Sequence, residues 1–174
     1  MSHPPVYAAR AMAASSQPAA TLAALRMLER GGNAADAAIA AAAVQCVTEP
    51  MSTGLGGDAF AIVWCDGEAH GLDAAGPAPV GADPDAPVEP VGPRSVTVPG
   101  AVGGWRALSE RFGRLGLDAC LTPAIDIARA GFAIGPRAAS LWEGAPAGYP
   151  PRVRPGDVIR LPALAASLEA LDGF

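Results

Sequence analysis

The chain has no lysine: its twelve basic residues are all arginine, scattered along 174 residues and outnumbered by seventeen acids, for a net charge of -5. Nothing in that distribution clusters cations against phosphates, so no nucleic-acid partner is expected. Histidine is scarce, with only His3 and His70, which leaves a multi-histidine metal centre or an imidazole relay poorly supplied. Cys46, Cys65 and Cys120 are odd in number, widely spaced and free of any CxxC pair. Neither a disulfide framework nor a zinc site is expected, and all three are read as buried, reduced, inert thiols. No metal and no cofactor is expected. Long apolar runs are also missing: Ala34 to Val47 is interrupted by Asp36 and Gln45 and is too short to span a bilayer, so no membrane partner is expected. Met1 to Arg10 lacks the charged stretch and apolar core of a secretory signal. A cytoplasmic location is therefore expected, or a periplasmic or secreted one if a signal lies upstream.

What is present is a globular composition, 51% hydrophobic with 21 glycines and 18 prolines to turn the chain between packed elements. Apolar spacing predicts a helix over Ser15 to Arg30, with Ser15 or Ser16 as N-cap, Pro18 in the first turn and Gly31-Gly32 as the stop. Asn33 can cap a second helix, nearly all Ala, Ile and Val through Val47, which should be buried on most of its circumference. Pro50 and the glycines at 54, 56 and 57 break the pattern before a β-suited run, Ala59 to Cys65. Asp66-Gly67 then supplies a tight hairpin turn into a return strand, Glu68 to Asp73. Gly76 to Pro93 reads as an irregular surface excursion, and Ser95 to Val98 as a short β-like segment. Helices are predicted over Ala101 to Phe112, Thr122 to Ala130 and Pro162 to Leu171. The order has no repeated β-α alternation, which favours an α+β arrangement over a doubly wound sheet.

The chemistry on offer is thin. Gly54-Leu55-Gly56-Gly57-Asp58 follows a helix and precedes a strand, the reverse of a phosphate loop, and reads as a structural turn. Asp58 and Asp73 flank the hairpin and could share one end of it, as an acid/base pair or as capping carboxylates. Neither histidine offers an obvious partner for Ser52 or Thr53.

In order and spacing, Ser15-Ser16-Gln17-Pro18, Gly31-Gly32-Asn33-Ala34-Ala35-Asp36-Ala37-Ala38, Glu49-Pro50 and Gly54-Leu55-Gly56-Gly57-Asp58-Ala59-Phe60 resemble the N-terminal signature of the gamma-glutamyltranspeptidase family. The likeness continues through Gly71-Leu72-Asp73, Ala78-Pro79, Ser95 to Gly100, Pro123-Ala124-Ile125 and Ala130-Gly131-Phe132, nearly the whole chain. It implies that residues 1–174 are a partial, large-subunit segment of a single αββα N-terminal-nucleophile (Ntn) hydrolase domain. It further implies a precursor that cleaves itself, a small subunit as partner, and a nucleophilic threonine at that subunit's new N-terminus, activated by its own amine. That threonine is expected beyond position 174, because Thr21, Thr48, Thr53, Thr97 and Thr122 all lack the family's cleavage context. The segment by itself is expected to be inactive.

The family's substrate-carboxylate arginine falls, by the same resemblance, at Ala75, and the alternative position seen in a bacterial branch falls at Pro77. Neither is an arginine here; Arg94 and Arg106 are the conceivable substitutes. The implied substrate is a small gamma-glutamyl compound such as glutathione, or a related acyl amide. A degenerate, non-catalytic member or an interaction fragment is the competing expectation.

Overall fold

The computed structural model describes residues 4–83, 85–88, 92–142, 150 and 152–171. It begins with two packed helices, α1 (Pro18–Glu29) and α2 (Ala34–Thr48), which lead into the hairpin β1 (Ala59–Cys65) and β2 (Glu68–Ala74). A 3-10 turn at Pro93–Ser95 precedes α3 (Ala101–Phe112) and α4 (Leu117–Ala130). Then come β3 (Phe132–Ala133), α5 (Pro136–Leu141), β4 (Val158–Ile159) and α6 (Pro162–Ala170), with β3 and β4 forming a second antiparallel pair. The α+β order expected from the sequence is the order observed.

α1 starts later than expected. Its N-cap is Gln17, with Pro18 at the first helical position, and no side chain caps it. Ser15 donates instead to the Gln17 carbonyl, while Ser16 and Gln17 turn their side chains to Glu49. The helix ends in a Schellman turn, in which Gly32 N–H donates to the Met27 carbonyl and Gly31 N–H to that of Leu28. A Cβ on Gly32 would lie 2.7 Å from Leu115 Cδ1, so only glycine lets this turn close against the α3–α4 connection.

α2 begins with a full capping box: Asn33 Oδ1 accepts from the Ala35 and Asp36 amides, and Asp36 Oδ2 accepts from the Asn33 amide at 2.8 Å. Both side chains reach further, Asn33 Nδ2 to the Phe112 carbonyl and Asp36 to the Arg114 and Leu115 amides at 3.1 Å. The Gly-Gly-Asn-Ala-x-Asp block is thus an interlock between the start of α2 and the turn from α3 to α4. α2 is buried on most sides, as expected of its small apolar residues, and the core gathers around Met27, Ile39, Val44, Val47, Trp105, Leu121 and Leu168.

β1 has the expected bounds, and β2 runs one residue longer, from Glu68 to Ala74. Asp66 (φ 52°) and Gly67 (φ 83°) take the positive φ angles of a two-residue hairpin turn. Ser95 to Val98 forms no strand; Ser95 closes the 3-10 turn, Val96 is extended, and the chain bends at Val98 before Pro99. α4 starts at Leu117, five residues before the expected Thr122, because Leu117, Cys120 and Leu121 face the core ahead of the spacing that was read. The short β3, α5 and β4 were not anticipated. The Gly76–Pro93 excursion contains no helix or strand among its described residues.

One face of the hairpin packs on α3, where a Cβ added to Gly104 would lie 2.7 Å from the Ala74 Cβ and 3.3 Å from Leu72. The opposite face is uncovered, with Phe60 70%, Ile62 84% and Trp64 73% exposed. Across from them stand Asp73, Gly71 and Ala69, so β1 forms an apolar ridge beside a low strip of β2.

Candidate functional site

Three glycine-bearing segments meet at the open end of the hairpin: Gly54–Asp58 before β1, Asp73–Pro77 after it, and Thr97–Gly100 before α3. The Gly57 carbonyl accepts from the Gly100 amide at 3.0 Å and the Ala101 amide at 2.9 Å, so the glycine turn sits over the start of α3. A Cβ on Gly100 would land on the Ala74 carbonyl and one on Gly76 on that of Val98, which explains why these backbones cross at glycine. The Val98 amide donates to the Pro77 carbonyl at 3.0 Å.

Asp58 and Asp73 do share this end of the hairpin, on the same exposed face, but each carboxylate accepts hydrogen bonds from the neighbouring chain. Asp58 Oδ1 accepts from the Gly76 amide at 3.3 Å and Thr97 Oγ1 at 3.1 Å, and Asp73 Oδ1 accepts from the Ala75 amide at 2.9 Å. Beneath Asp58 a cleft of about 280 Å³ is lined by Ile39, Thr53, Gly54, Phe60 and Trp105. That hydrogen bonding is the work of capping carboxylates.

Ala75 and Pro77 are both exposed, and neither brings a cation to this end. Arg106 is committed elsewhere, donating from Nη2 to the Leu171 carbonyl at 3.0 Å. Arg94 is exposed in the 3-10 turn, on the wall of an open hollow of about 600 Å³ formed with Pro79, Val80, Val88 and Val96, and has no hydrogen-bond or ion-pair partner among the described residues.

The threonine hydroxyls are also engaged. Thr21 Oγ1 and Ser15 Oγ lie 2.7 Å apart, Thr48 donates to the Val44 carbonyl, Thr122 to that of Asp118, and Thr53 Oγ1 lies 3.6 Å from Cys46 Sγ. His70 reaches none of them: its Nδ1 is 3.1 Å from Arg111 Nη2 and its ring packs on Phe112. His3 lies outside the described residues. Among the described residues no three of His, Cys, Asp and Glu gather as metal ligands, and no helix is long and apolar enough to cross a membrane.

Two carboxylates that the sequence reading did not single out as site residues are the most extensively hydrogen-bonded among the described residues. Asp36 is fully buried. Burial alone would raise its pKa, but the amides of Asn33, Leu115 and Arg114 and the Cys120 thiol together outweigh burial and hold it below its ordinary value. Glu49, half-buried, accepts from Ser16 Oγ at 2.6 Å, Gln17 Nε2 at 2.9 Å and Gln45 Nε2 at 3.4 Å. These donors, with the more distant Arg137 charge, likewise outweigh burial and lower its pKa. The capping-box spacing was the available signal for Asp36; nothing local marks Glu49 as the partner of residues 32 and 33 positions earlier.

Cys46 and Cys120 are buried, but Cys65 is only half-buried on β1, so the expectation of three buried thiols is corrected to two. β1 places Cys65 at the turn end of the hairpin, beyond the reach of the helical core.

The family model described as Gamma-glutamyltranspeptidase matches residues 20–173. The Acylase ACY 1 proenzyme of Pseudomonas sp. (strain SE83) is 34% identical over 94% of this chain and 31% of its own length. The Glutathione hydrolase proenzyme of Pseudomonas aeruginosa is 33% identical over 92% of this chain and 32% of its own. Among solved structures, Helicobacter pylori gamma-glutamyltranspeptidase superposes with a TM-score of 0.87 at 28% identity, covering 98% of this chain and 56% of that one. Cephalosporin acylase from Bacillus halodurans superposes with a TM-score of 0.83 at 37% identity, covering 91% and 35%. The chain therefore spans about a third of the length of these two curated relatives. With its helix pair, hairpin and glycine crossing in the arrangement of those structures, part of an Ntn-hydrolase fold, the chain belongs to the gamma-glutamyltranspeptidase family.

Proposed function

We propose that this chain is the N-terminal part of an enzyme that hydrolyses amides or transfers their acyl group, with the nucleophile supplied by polypeptide outside the 174 residues. The observation that carries this is the family match over residues 20–173, coupled to the threonines beside the hairpin, Thr53 and Thr97, whose hydroxyls lie against Cys46 Sγ and Asp58 Oδ1. On this reading the nucleophile is a threonine freed by self-cleavage, and the 174-residue chain alone turns over nothing. That two of its relatives are named proenzymes supports the reading.

The acyl group is the finer part of the proposal. Ala75 and Pro77 leave the open end of the hairpin without a guanidinium to pair with an α-carboxylate, a contact worth about 2–5 kcal/mol when it is desolvated. Acyl amides lacking that carboxylate are therefore the favoured donors over gamma-glutamyl amides, and relatives named as acylases and as glutathione hydrolases match at nearly equal identity.

The test is to express the full reading frame that carries this chain and follow self-cleavage by mass spectrometry. Anilide release is then measured from gamma-glutamyl and simple acyl donors. A polypeptide with no threonine in such a context, and no cleavage, retires the enzyme in favour of a non-catalytic body. The uncovered ridge of Phe60, Ile62 and Trp64 is the observation favouring that second reading, since it suits packing against a partner whether or not chemistry follows.

A further inference from the structure

The excursion from Gly76 to Thr97 leaves β2 and returns to α3, and its two feet are held by one side chain. Asp58 Oδ1 accepts the Gly76 amide at one foot and the Thr97 hydroxyl at the other, and the Val98-to-Pro77 backbone bond closes the gap immediately above. A segment of this length, with no regular structure among its described residues beyond the 3-10 turn at Pro93–Ser95, has many ways to leave the hairpin. Three hydrogen bonds and the two close glycine crossings reduce them to one at its base.

We propose that Asp58 is a positioning residue: by clasping both feet of the 76–97 excursion it sets the path of Ala75–Pro77 and the shape of the wall beside the open end of the hairpin. The catalytic consequence rests on the function proposed above; the clasp itself does not. Asp58 takes no part in proton transfer. Its work is done by an acceptor oxygen, which an asparagine amide supplies equally well, whereas acid/base chemistry needs the carboxyl group itself.

That difference makes Asp58→Asn and Asp58→Ala the discriminating pair, with Thr97→Val removing one foot only. In the 174-residue chain, hydrogen exchange is read at the Gly76 and Val98 amides, with thermal melting as the control for global stability. The expected result is exchange about tenfold faster in Asp58→Ala, a few-fold faster in Thr97→Val and close to the parent rate in Asp58→Asn, at similar melting temperatures. Unchanged exchange in Asp58→Ala overturns the clasp.

In the processed full-length enzyme, Asp58→Ala should raise KM for the acyl donor several-fold with kcat little changed, and Asp58→Asn should restore it. Loss of kcat in both variants overturns the positioning role in favour of acid/base work. If the full-length polypeptide does not process at all, the proposed function fails while the exchange result still decides the clasp.

Discussion

Asp36 is a carboxylate with no exposed surface that accepts three backbone amides, two of them from residues 78 and 79 positions away. Truncating it strands those amides, so Asp36→Ala is expected to cost about 3 kcal/mol or more, read from the shift in denaturant midpoint. Because its folded pKa lies below the ordinary 3.8, the stabilisation it gives is fully present above that value and is lost as pH falls through the depressed folded pKa. Glu49, lowered from 4.5, behaves in the same sense. Stability is therefore expected to be flat from pH 7 to about 5 and to fall steeply below about 4, with the acid limb reduced in Asp36→Asn, measured by urea melts across that range.

The thiols give a second expectation at this scale. Burial, reinforced by the Asp36 charge, pushes Cys120 up to about 12, and burial raises Cys46 as well. Cys65 is raised chiefly by the hydrogen bond it donates to Asp66, but it is not enclosed. Under native conditions at pH 8, an alkylating reagent should label Cys65 slowly and leave Cys46 and Cys120 untouched until the protein is unfolded. Rapid labelling of Cys120 in the folded chain contradicts this environment.

Among elements, the join between α2 and the α3–α4 turn decides most. Asn33 caps α2 and also grips the Phe112 carbonyl, so Asn33→Ala removes a helix cap and an inter-element bond together. The expected loss is about 2 kcal/mol, above the usual cost of a lone cap. Adding a methyl at Gly32 presses on Leu115 and on the Met27 carbonyl, and Gly32→Ala should destabilise by a similar amount. Both effects are readable as melting-temperature shifts, since this densest part of the family signature forms a structural interlock. The hairpin depends on its turn in the same local way, since Asp66 and Gly67 both need positive φ.

At the scale of the whole molecule, the apolar ridge on β1 is the feature the described fold leaves unsatisfied. Ile62, 84% exposed on the face away from α3, adds little to the packed core. In the 174-residue chain Ile62→Glu should leave the melting temperature within a few degrees of the parent and reduce concentration-dependent association, followed by sedimentation velocity. On the proposed function the same ridge packs against the rest of the longer polypeptide, so there Ile62→Glu should impair folding or self-cleavage. On the same proposed function, Ala75→Arg belongs to this scale too, because it would act only in the assembled site. It should raise kcat/KM for a gamma-glutamyl anilide about tenfold relative to a donor without the α-carboxylate, an effect of about 1.4 kcal/mol.

The elements whose signals are local were legible in the sequence: the proline that opens α1, the asparagine that caps α2, the Asp-Gly hairpin turn, and the run of β-branched and aromatic residues that makes β1 a strand. Each of these is decided within a few residues by backbone sterics and nearby hydrogen bonds. Tertiary structure alone decided that Asp36 is a buried hub, that Ser16 and Gln17 serve Glu49 and leave α1 uncapped, and that Asp58 clasps an excursion 18 to 39 residues away. It also decided the two-residue strands β3 and β4, which exist only by pairing with each other across the intervening chain. The physical reason is the same in each case: a carboxylate's worth depends on which donors the fold brings to it, and no spacing in the sequence records donors that arrive from another element.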